Sequence, residues 1–309
     1  MERKGSETME DVCVCRNIEK AYGQPVLKGC SLHIPAGSIY GLIGENGAGK
    51  TTLIRILTGL QKPDAGTYSL FDVDASDKAI HLARKRMGAI VEMPALDPEL
   101  DALSNVRAQA RLLELEPGHE KEALEWVGLN DPGTKKAGDF SLGMRQRLGL
   151  AMALIGHPDF ILLDEPTNGL DPQGMIELRE LILKLNKEHR ITFLISSHVL
   201  AELAKLADWY GFLKGGKIVL ETSAKELDEH AKPVVEIEAK PMEKLVSYWD
   251  RNRMAYKALG ADRWRVETNR PAGELALELA KAGIDVRSIQ IVNEDLEAVY
   301  MQIMKGGTR

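Results

Sequence analysis

An eight-residue segment, residues 44–51, constrains the fold of this chain more than any other part of it. The segment reads GENGAGKT and fits the pattern G-x-x-x-x-G-K-[ST] at every position, between a short apolar run and the helical stretch TTLIRILTGL. Successive backbone N–H groups and a helix start attract phosphate, so we expect a phosphate-binding loop here. A glycine-rich turn with no ligand is the alternative. The predicted contact residues are Asn46, Gly47, Ala48, Gly49, Lys50, Thr51 and Thr52.

Four short apolar runs alternate with helical patterns, which is typical of a mostly parallel sheet covered by helices. Each run ends in polar or glycine residues that suit chemistry better than packing. Because ligands bind beyond the carboxyl ends of parallel strands, we expect these endings to line one edge of the sheet. The runs are SIYGLIG (38–44), RMGAIVE (86–92), DFILLDE (159–165) and ITFLISSH (191–198).

Two adjacent carboxylates, Asp164 and Glu165, close the third run. Charges at the end of a buried strand are unfavourable unless a cation or a proton transfer uses them. Asp164 is therefore predicted to hold Mg²⁺, directly or through water, and Thr51 to ligate the same ion. Glu165 is predicted to act as the general base for an attacking water. An ion pair at the strand end is the alternative.

The segment FSLGMRQRLGLAMAL (140–154) precedes these carboxylates at the spacing found in ABC ATPases and resembles the signature motif of that family. The resemblance implies that Ser141 and Gly143 contact the γ-phosphate of ATP held by an opposing subunit. It also implies a head-to-tail dimer over two ATP molecules, either a homodimer or a pair with another nucleotide-binding subunit. A helix start attracts phosphate, which agrees with this role. The departures from the family's commoner L-S-G-G-Q are Phe140, Leu142 and Met144.

Three further positions resemble ATP-contacting residues of the same family. Asp171, in NGLD, corresponds to the residue that links the two active sites of the dimer. His198 matches the histidine that contacts the γ-phosphate and helps to hold the attacking water, whereas capping of the helix in SSHVLAEL is its alternative role. Tyr22, in KAYG, matches the aromatic residue that stacks on adenine; a lone tyrosine is otherwise more often a packing residue.

Glu92 stands where most ABC ATPases have a glutamine, at the end of the run RMGAIVE. A glutamine offers a neutral oxygen to Mg²⁺, whereas a carboxylate adds a full negative charge beside the metal. We therefore predict a catalytic and metal-binding role for Glu92. Together with SLGMRQRLG, the context VEMPAL resembles bacitracin-resistance and lantibiotic-immunity transporters. The alternative is that the glutamate at position 92 is a substitution specific to this chain, in a generic drug or lipid exporter.

The resemblance implies the fold and its parts. It implies an α/β fold, the P-loop ABC-type nucleotide-binding domain, with a mostly parallel sheet, an antiparallel β subdomain and a helical subdomain at about 93–140. We predict a flexible N-terminus at 1–10, the ATPase domain at 11–222 and a small accessory α+β domain at 223–309, where Trp249 and Trp264 are expected in the core. The segment VNEDLEAVYMQIM resembles the C-terminus of many export ATPases.

Composition and resemblance together suggest the partners. Three cysteines are too few for a disulfide framework, and the formal net charge of −6 disfavours nucleic acid as a partner. ATP and Mg²⁺ are the expected cofactors, and a separate transmembrane permease is the expected partner. We expect a peripheral protein on the cytoplasmic face of a bacterial plasma membrane. The main alternative is a soluble ABC ATPase acting in DNA repair or translation, although such proteins usually carry two ATPase units or a long inserted coiled coil.

Overall fold

The computed structural model describes residues 10–130, 133–230, 233–268 and 270–293. The predicted flexible terminus, apart from Glu10, and most of the VNEDLEAVYMQIM segment lie outside these residues. Contacts divide the chain into two units, Met1–Ser223 and Ala224–Arg309, and each is described by itself. Within the described part of the chain, none of the helices has the length and apolar character that crossing a bilayer requires.

The first unit contains ten strands and seven helices among its described residues. The strands are β1 (Asp11–Tyr22), β2 (Gln24–Pro35), β3 (Ile39–Ile43), β4 (Ala65–Leu70), β5 (Val73–Asp74), β6 (Met87–Ile90), β7 (Phe160–Asp164), β8 (Thr192–Ser197), β9 (Trp209–Lys214) and β10 (Lys217–Ser223). The helices are α1 (Lys50–Leu57), α2 (Ile80–Lys85), α3 (Ala102–Leu112), α4 (His119–Trp126), α5 (Leu142–Leu154), α6 (Pro172–His189) and α7 (Leu200–Leu203).

A six-stranded sheet forms the centre of this unit, in the order β10-β9-β3-β8-β7-β6. The pairs from β9 to β6 are parallel, and β10 joins β9 antiparallel. Every residue of β3, β7 and β8 is buried, as expected for strands covered on both faces. The four apolar runs are β3, β6, β7 and β8, so the prediction of a mostly parallel sheet is confirmed.

A second, antiparallel sheet has the order β2-β1-β4-β5 and shares one apolar core with the central sheet. Its strand β1 is irregular near Asn17, which has a left-handed φ of 51°. Gly66 of β4 lies against this irregularity, and a Cβ there would approach the Asn17 carbonyl oxygen to 2.2 Å. Only a glycine fits that approach without displacing the backbone. The sheet supplies Tyr22 at the end of β1.

The three cysteines pack in this core as free, buried thiols. Burial raises the pKa of the Cys30 thiol to about 12, and a hydrogen bond with Cys13, together with burial, raises that of Cys15. Both pKa values favour the neutral thiol, which behaves as a small apolar group. The cysteines are therefore packing residues.

Helices α3, α4 and α5 lie between β6 and β7 in the sequence and pack against one another. The first begins at Asp101, whose Oδ1 accepts a hydrogen bond from the Ser104 N–H at 2.7 Å. That bond holds the pKa of the Asp101 carboxyl below its usual value. The predicted helical segment at 93–140 contains α3 and α4, and α5 carries the signature-like sequence.

The second unit contains α8 (Ala224–His230), β11 (Pro233–Lys240), α9 (Met242–Arg251), β12 (Tyr256–Ala258), β13 (Arg263–Glu267), α10 (Ala272–Lys281) and β14 (Asp285–Asn293). Its antiparallel sheet has the order β12-β13-β11-β14, the β-α-β-β-α-β arrangement called ferredoxin-like. Leu245, Trp249, Trp264 and Leu275 are buried in its core. The predicted small α+β domain and the predicted packing of both tryptophans are confirmed.

Candidate nucleotide-binding site

The glycine-rich loop joins β3 to α1, at the carboxyl edge of the central sheet. Gly49 adopts a φ of 110°, and a Cβ on it would approach Leu27 to 2.7 Å, so both backbone and space require glycine. The Lys50 Nζ donates to the carbonyl oxygens of Gly44 at 2.7 Å and Glu45 at 3.3 Å. The lysine is 5% exposed, so its charge is held over the loop. The start of α1 and this cation together favour a bound phosphate.

Thr51 and Asp164 lie in direct contact. The Thr51 hydroxyl donates to Asp164 Oδ2 at 2.7 Å, and the Ser196 hydroxyl donates to Oδ1 of the same carboxylate at 2.6 Å. Asp164 is 2% exposed, so it is a buried carboxylate in contact with two hydroxyl groups. Oxygen donors of this kind suit Mg²⁺, which is bound through one or two protein oxygens and completes its shell with water and phosphate.

Glu165 follows β7 in a left-handed conformation, with a φ of 47°. Its Oε2 lies 2.8 Å from His198 Nδ1, and its Oε1 lies 3.1 Å from Lys50 Nζ. The Lys50 contact is a charge contact without hydrogen-bond geometry, so Oε1 is buried without a hydrogen-bond partner. A strained backbone and a buried carboxylate oxygen without a hydrogen bond are common at catalytic positions. The carboxylate is therefore held between a cation and an imidazole, and the oxygen beside Lys50 makes no hydrogen bond.

Lys50, Thr51, Glu165 and His198 line one cavity of about 540 Å³. Asp164 and Ser196 are buried and do not line it. Tyr22 lies at its rim with half of its surface exposed, and its hydroxyl bonds to the Gln61 side chain. An exposed ring at the mouth of the cavity can stack on a planar base. The predicted residues that line the cavity are Tyr22, Asn46, Gly47, Gly49, Lys50, Thr51, Thr52, Glu165 and His198. Ala48 lies within the loop between them.

His198 does not cap a helix. The helix α7 has Val199 at its N-cap without a side-chain hydrogen bond, and Ser197 Oγ accepts from the Val199 N–H at 3.0 Å. The imidazole points instead to Glu165, which excludes the capping alternative in this structure.

Sequence reasoning missed three residues of the site. Ser196 bonds to Asp164 and also accepts from the Glu165 N–H at 2.9 Å. Asn168 and Val26 line the cavity. The signal for Ser196 was its place beside Asp164 on the neighbouring strand, which requires the register of β7 and β8. Asn168 precedes the predicted Asp171 in NGLD and could have been found there.

Ser141, Gly143 and Asp171 line a separate cavity of about 440 Å³ between the starts of α5 and α6. Ser141 caps α5 by accepting from the Met144 N–H at 3.3 Å, and Asp171 caps α6 by accepting from the Gly174 N–H at 2.9 Å. Two helix starts therefore face one space, which favours an anion there. The structure does not bring these three residues to the cavity of Lys50.

Glu92 is also outside the nucleotide cavity. It follows β6 with a φ of 63°, and its Oε1 lies 2.6 Å from Arg55 Nη2. Arg55 is one helical turn beyond Thr51 on α1, so Glu92 is held one turn away from the Thr51 and Asp164 pair. The two side chains are 41% and 57% exposed, and such pairs contribute about 0–1 kcal/mol. The predicted metal-binding and catalytic role of Glu92 stays a prediction.

Known proteins resemble this chain in both sequence and structure. A profile described as ABC transporter matches residues 27–168. The bacitracin transport ATP-binding protein BcrA of Bacillus licheniformis is 36% identical over 97% of this chain and 99% of its own length. The lantibiotic transport ATP-binding protein SrtF of Streptococcus pyogenes is 41% identical over 67% of this chain and 88% of its own length.

Two solved structures have the same fold. The protein cbiO1 from Clostridium perfringens, part of the ABC transporter complex cbiONQ, covers 72% of this chain and 92% of its own, with 27% identity and a TM-score of 0.64. A dimeric ATP-binding cassette in a post-hydrolysis state, bound to ADP and Pi, covers 68% of this chain and 98% of its own, with 26% identity and a TM-score of 0.60. This chain therefore belongs to the ABC transporter family, as one of its ATP-binding proteins.

Proposed function

We propose that this ATP-hydrolysing subunit powers the export of a peptide antibiotic through a separate membrane-spanning permease. One observation carries the proposal: the likeness to the bacitracin transport protein extends over nearly the full length of both chains and so includes the second unit. The named relatives are transport proteins, which favours a transporter over a soluble ATPase of DNA repair or translation. In this proposal the chain is a peripheral protein that the permease holds at the cytoplasmic face of the membrane.

The contacts in the nucleotide cavity support a role for each side chain. We assign Lys50 to the charge of the terminal phosphates, Thr51 and Asp164 to Mg²⁺, and Tyr22 to adenine. Bound Mg²⁺ neutralises phosphate charge. Glu165 takes a proton from the attacking water through its carboxylate, while His198 Nδ1, at 2.8 Å from Oε2, fixes the orientation of that carboxylate. We further assign residues 11–222 to the ATPase domain and 223–309 to an accessory domain.

The separation of the two cavities supports action as a dimer. Lys50 and Glu165 line one cavity, whereas Ser141 and Gly143 line another on the same chain. A head-to-tail pair of subunits would place the helix starts of one against the phosphates bound to the other, so that ATP completes both sites. Phosphate contacts shared in this way favour the closed dimer only when ATP is present. Asp171, which caps α6 beside Ser141, is assigned to the link between the two sites.

Glu92→Gln tests the residue that sets this sequence apart from most of its family. We expect basal ATP hydrolysis to change by no more than about fivefold, because the exposed pair with Arg55 is worth about 0–1 kcal/mol. We expect resistance of cells to peptide antibiotics to change, since the charge beside α1 differs between the two side chains. Arg55→Met is the matched control, because it breaks the same pair and keeps the carboxylate. Unchanged resistance in Glu92→Gln cells would make Glu92 an incidental replacement.

The transporter proposal is tested by purifying tagged Glu165→Gln protein from its native cells with ATP and Mg²⁺. Mass spectrometry then identifies what accompanies it. A multi-spanning membrane protein as the main partner supports the proposal, and deletion of the chain should then sensitise the cells to bacitracin or a lantibiotic. Ribosomes or DNA-repair proteins as the main partner would overturn it in favour of a soluble ATPase.

A further inference from the structure

Three side chains of types that can ligate a metal meet outside the Lys50 cavity and the Ser141 cavity. His119 and Glu122 lie one turn apart on α4, and His157 lies in the connection from α5 to β7. The His157 Nε2 is 3.2 Å from His119 Nδ1 and 3.6 Å from Glu122 Oε2. One donor atom from each residue lies within 4.8 Å of the other two. Two separate segments of the chain therefore present nitrogen and oxygen donors to the same small space.

The spacing of these atoms suits a transition-metal ion. Zinc–nitrogen bonds of about 2.0–2.1 Å at a tetrahedral angle place two ring nitrogens about 3.3 Å apart, close to the separation seen here. Two imidazoles and one carboxylate are a common ligand set for such ions and leave one position for water. We infer that His119, Glu122 and His157 form a binding site for a divalent transition-metal ion of the Zn²⁺ type.

Ring contacts restrain the two histidine donors. The indole ring of Trp126 packs edge-on against the His157 ring, with 5.2 Å between ring centroids. His189, at the end of α6, packs on the Trp126 ring, with 4.1 Å between the two ring centroids. The rings of His119 and His157 are also edge-on at 5.2 Å. Side chains held by packing lose less freedom when they bind an ion, so the site is partly organised in advance.

The site has a structural consequence for the ATPase unit. His157 stands three residues before β7, the strand that ends in Asp164 and precedes Glu165. An ion bound to all three ligands joins α4 to the connection into this strand. Helix α4 would then be braced against the strand that ends in Asp164 and leads to Glu165.

The test uses the untagged, full-length chain, freed of metal with a chelator and kept without nucleotide. Zn²⁺ is titrated against a chromogenic chelator, and Co²⁺ absorption reports the coordination geometry. We expect one Zn²⁺ per chain at this site, and at least about 10-fold weaker binding in His157→Ala and in Glu122→Gln. His189→Ala is the matched control, because it removes a neighbouring histidine that contacts Trp126 and keeps all three donors. Its loss of Zn²⁺ affinity should be much smaller than that of either ligand variant.

Two results would overturn the site. One is the absence of stoichiometric Zn²⁺ binding by the parent chain, which would leave the hydrogen bond between the two imidazoles as the whole explanation of their proximity. The other is parent-like affinity in both His157→Ala and Glu122→Gln, which would place any bound ion elsewhere. Glu122 is 47% exposed, so Glu122→Gln keeps the test valid if His157→Ala fails to fold. The readout is metal affinity, so it does not depend on the proposed transport function.

Discussion

Glu165→Gln will lower the rate of ATP hydrolysis by about 10²–10⁴-fold, the usual contribution of a general base, and will leave ATP binding intact. Glutamine matches the size of glutamate and meets the same left-handed backbone at φ 47°, so the local strain is unchanged. It cannot take a proton from water. Binding is retained because the contacts of Lys50 with the loop carbonyls remain. Removing a negative charge beside the phosphates also favours ATP.

The measurement has two parts. Phosphate release with Mg²⁺ and ATP gives the rate, and sedimentation with ATP shows whether the variant is trapped as a dimer, as slow hydrolysis predicts. Glu114→Gln is the matched control, because Glu114 is a glutamate with 84% of its side chain exposed. Its rate should equal that of the parent chain. A Glu165→Gln protein that hydrolyses ATP at nearly the normal rate would remove Glu165 from the role of base.

The central part of the site was predictable because parallel strands reveal themselves as apolar runs. β3, β7 and β8 are buried throughout, and most of their residues are apolar up to the polar or glycine residues at their carboxyl ends. Because ligands bind at those ends, the sequence predicts that the phosphate loop, the paired carboxylates and His198 form one site. The structure places the loop, Glu165 and His198 around one cavity, and it places Asp164 in contact with Thr51 of the loop. The same reasoning predicted that Glu92 would join them.

Glu92 shows where that reasoning stops. Its strand, β6, ends at Ile90, and the backbone turns through a left-handed residue at Glu92 itself. Neither the turn nor the pairing with Arg55 can be read from the letters RMGAIVE, because a positive φ at a glutamate has no sequence signature. Ser196 was missed for a related reason. Its contact with Asp164 depends on the register between two strands that are distant in sequence.

The sequence predicts that the second unit has an α+β fold, but it does not predict the order of the strands in its sheet. Its long segments, such as α9 and α10, have clear apolar periodicity and buried leucines at Leu245, Leu275 and Leu279. Strand β12 has three residues, too few to show any period. Without β12, the sheet order and the ferredoxin-like arrangement cannot be derived, since both depend on contacts between distant segments.

Lys50→Ala will weaken ATP binding by about 2–5 kcal/mol, or roughly 30-fold to several thousand-fold, the range for removing one member of a buried charge pair. The lysine is the cation of the loop, and its Nζ lies 3.1 Å from Glu165 Oε1. Without it, the carboxylate of Glu165 faces the ATP phosphates without a counter-charge. Equilibrium binding of a fluorescent ATP analogue measures the loss. Lys62→Ala, at an exposed lysine, is the matched control and should bind normally.

The double variant Lys50→Ala with Glu165→Gln separates the two causes of this loss. If repulsion between Glu165 and the phosphates contributes, the double variant will bind ATP more tightly than Lys50→Ala alone, because the uncompensated charge is gone. The recovery is then the coupling energy between the two side chains. Equal affinities would mean that the lysine acts on the phosphates alone and that its contact with Glu165 serves only to position the base. Normal ATP binding by Lys50→Ala would contradict the assignment of this loop as the phosphate site.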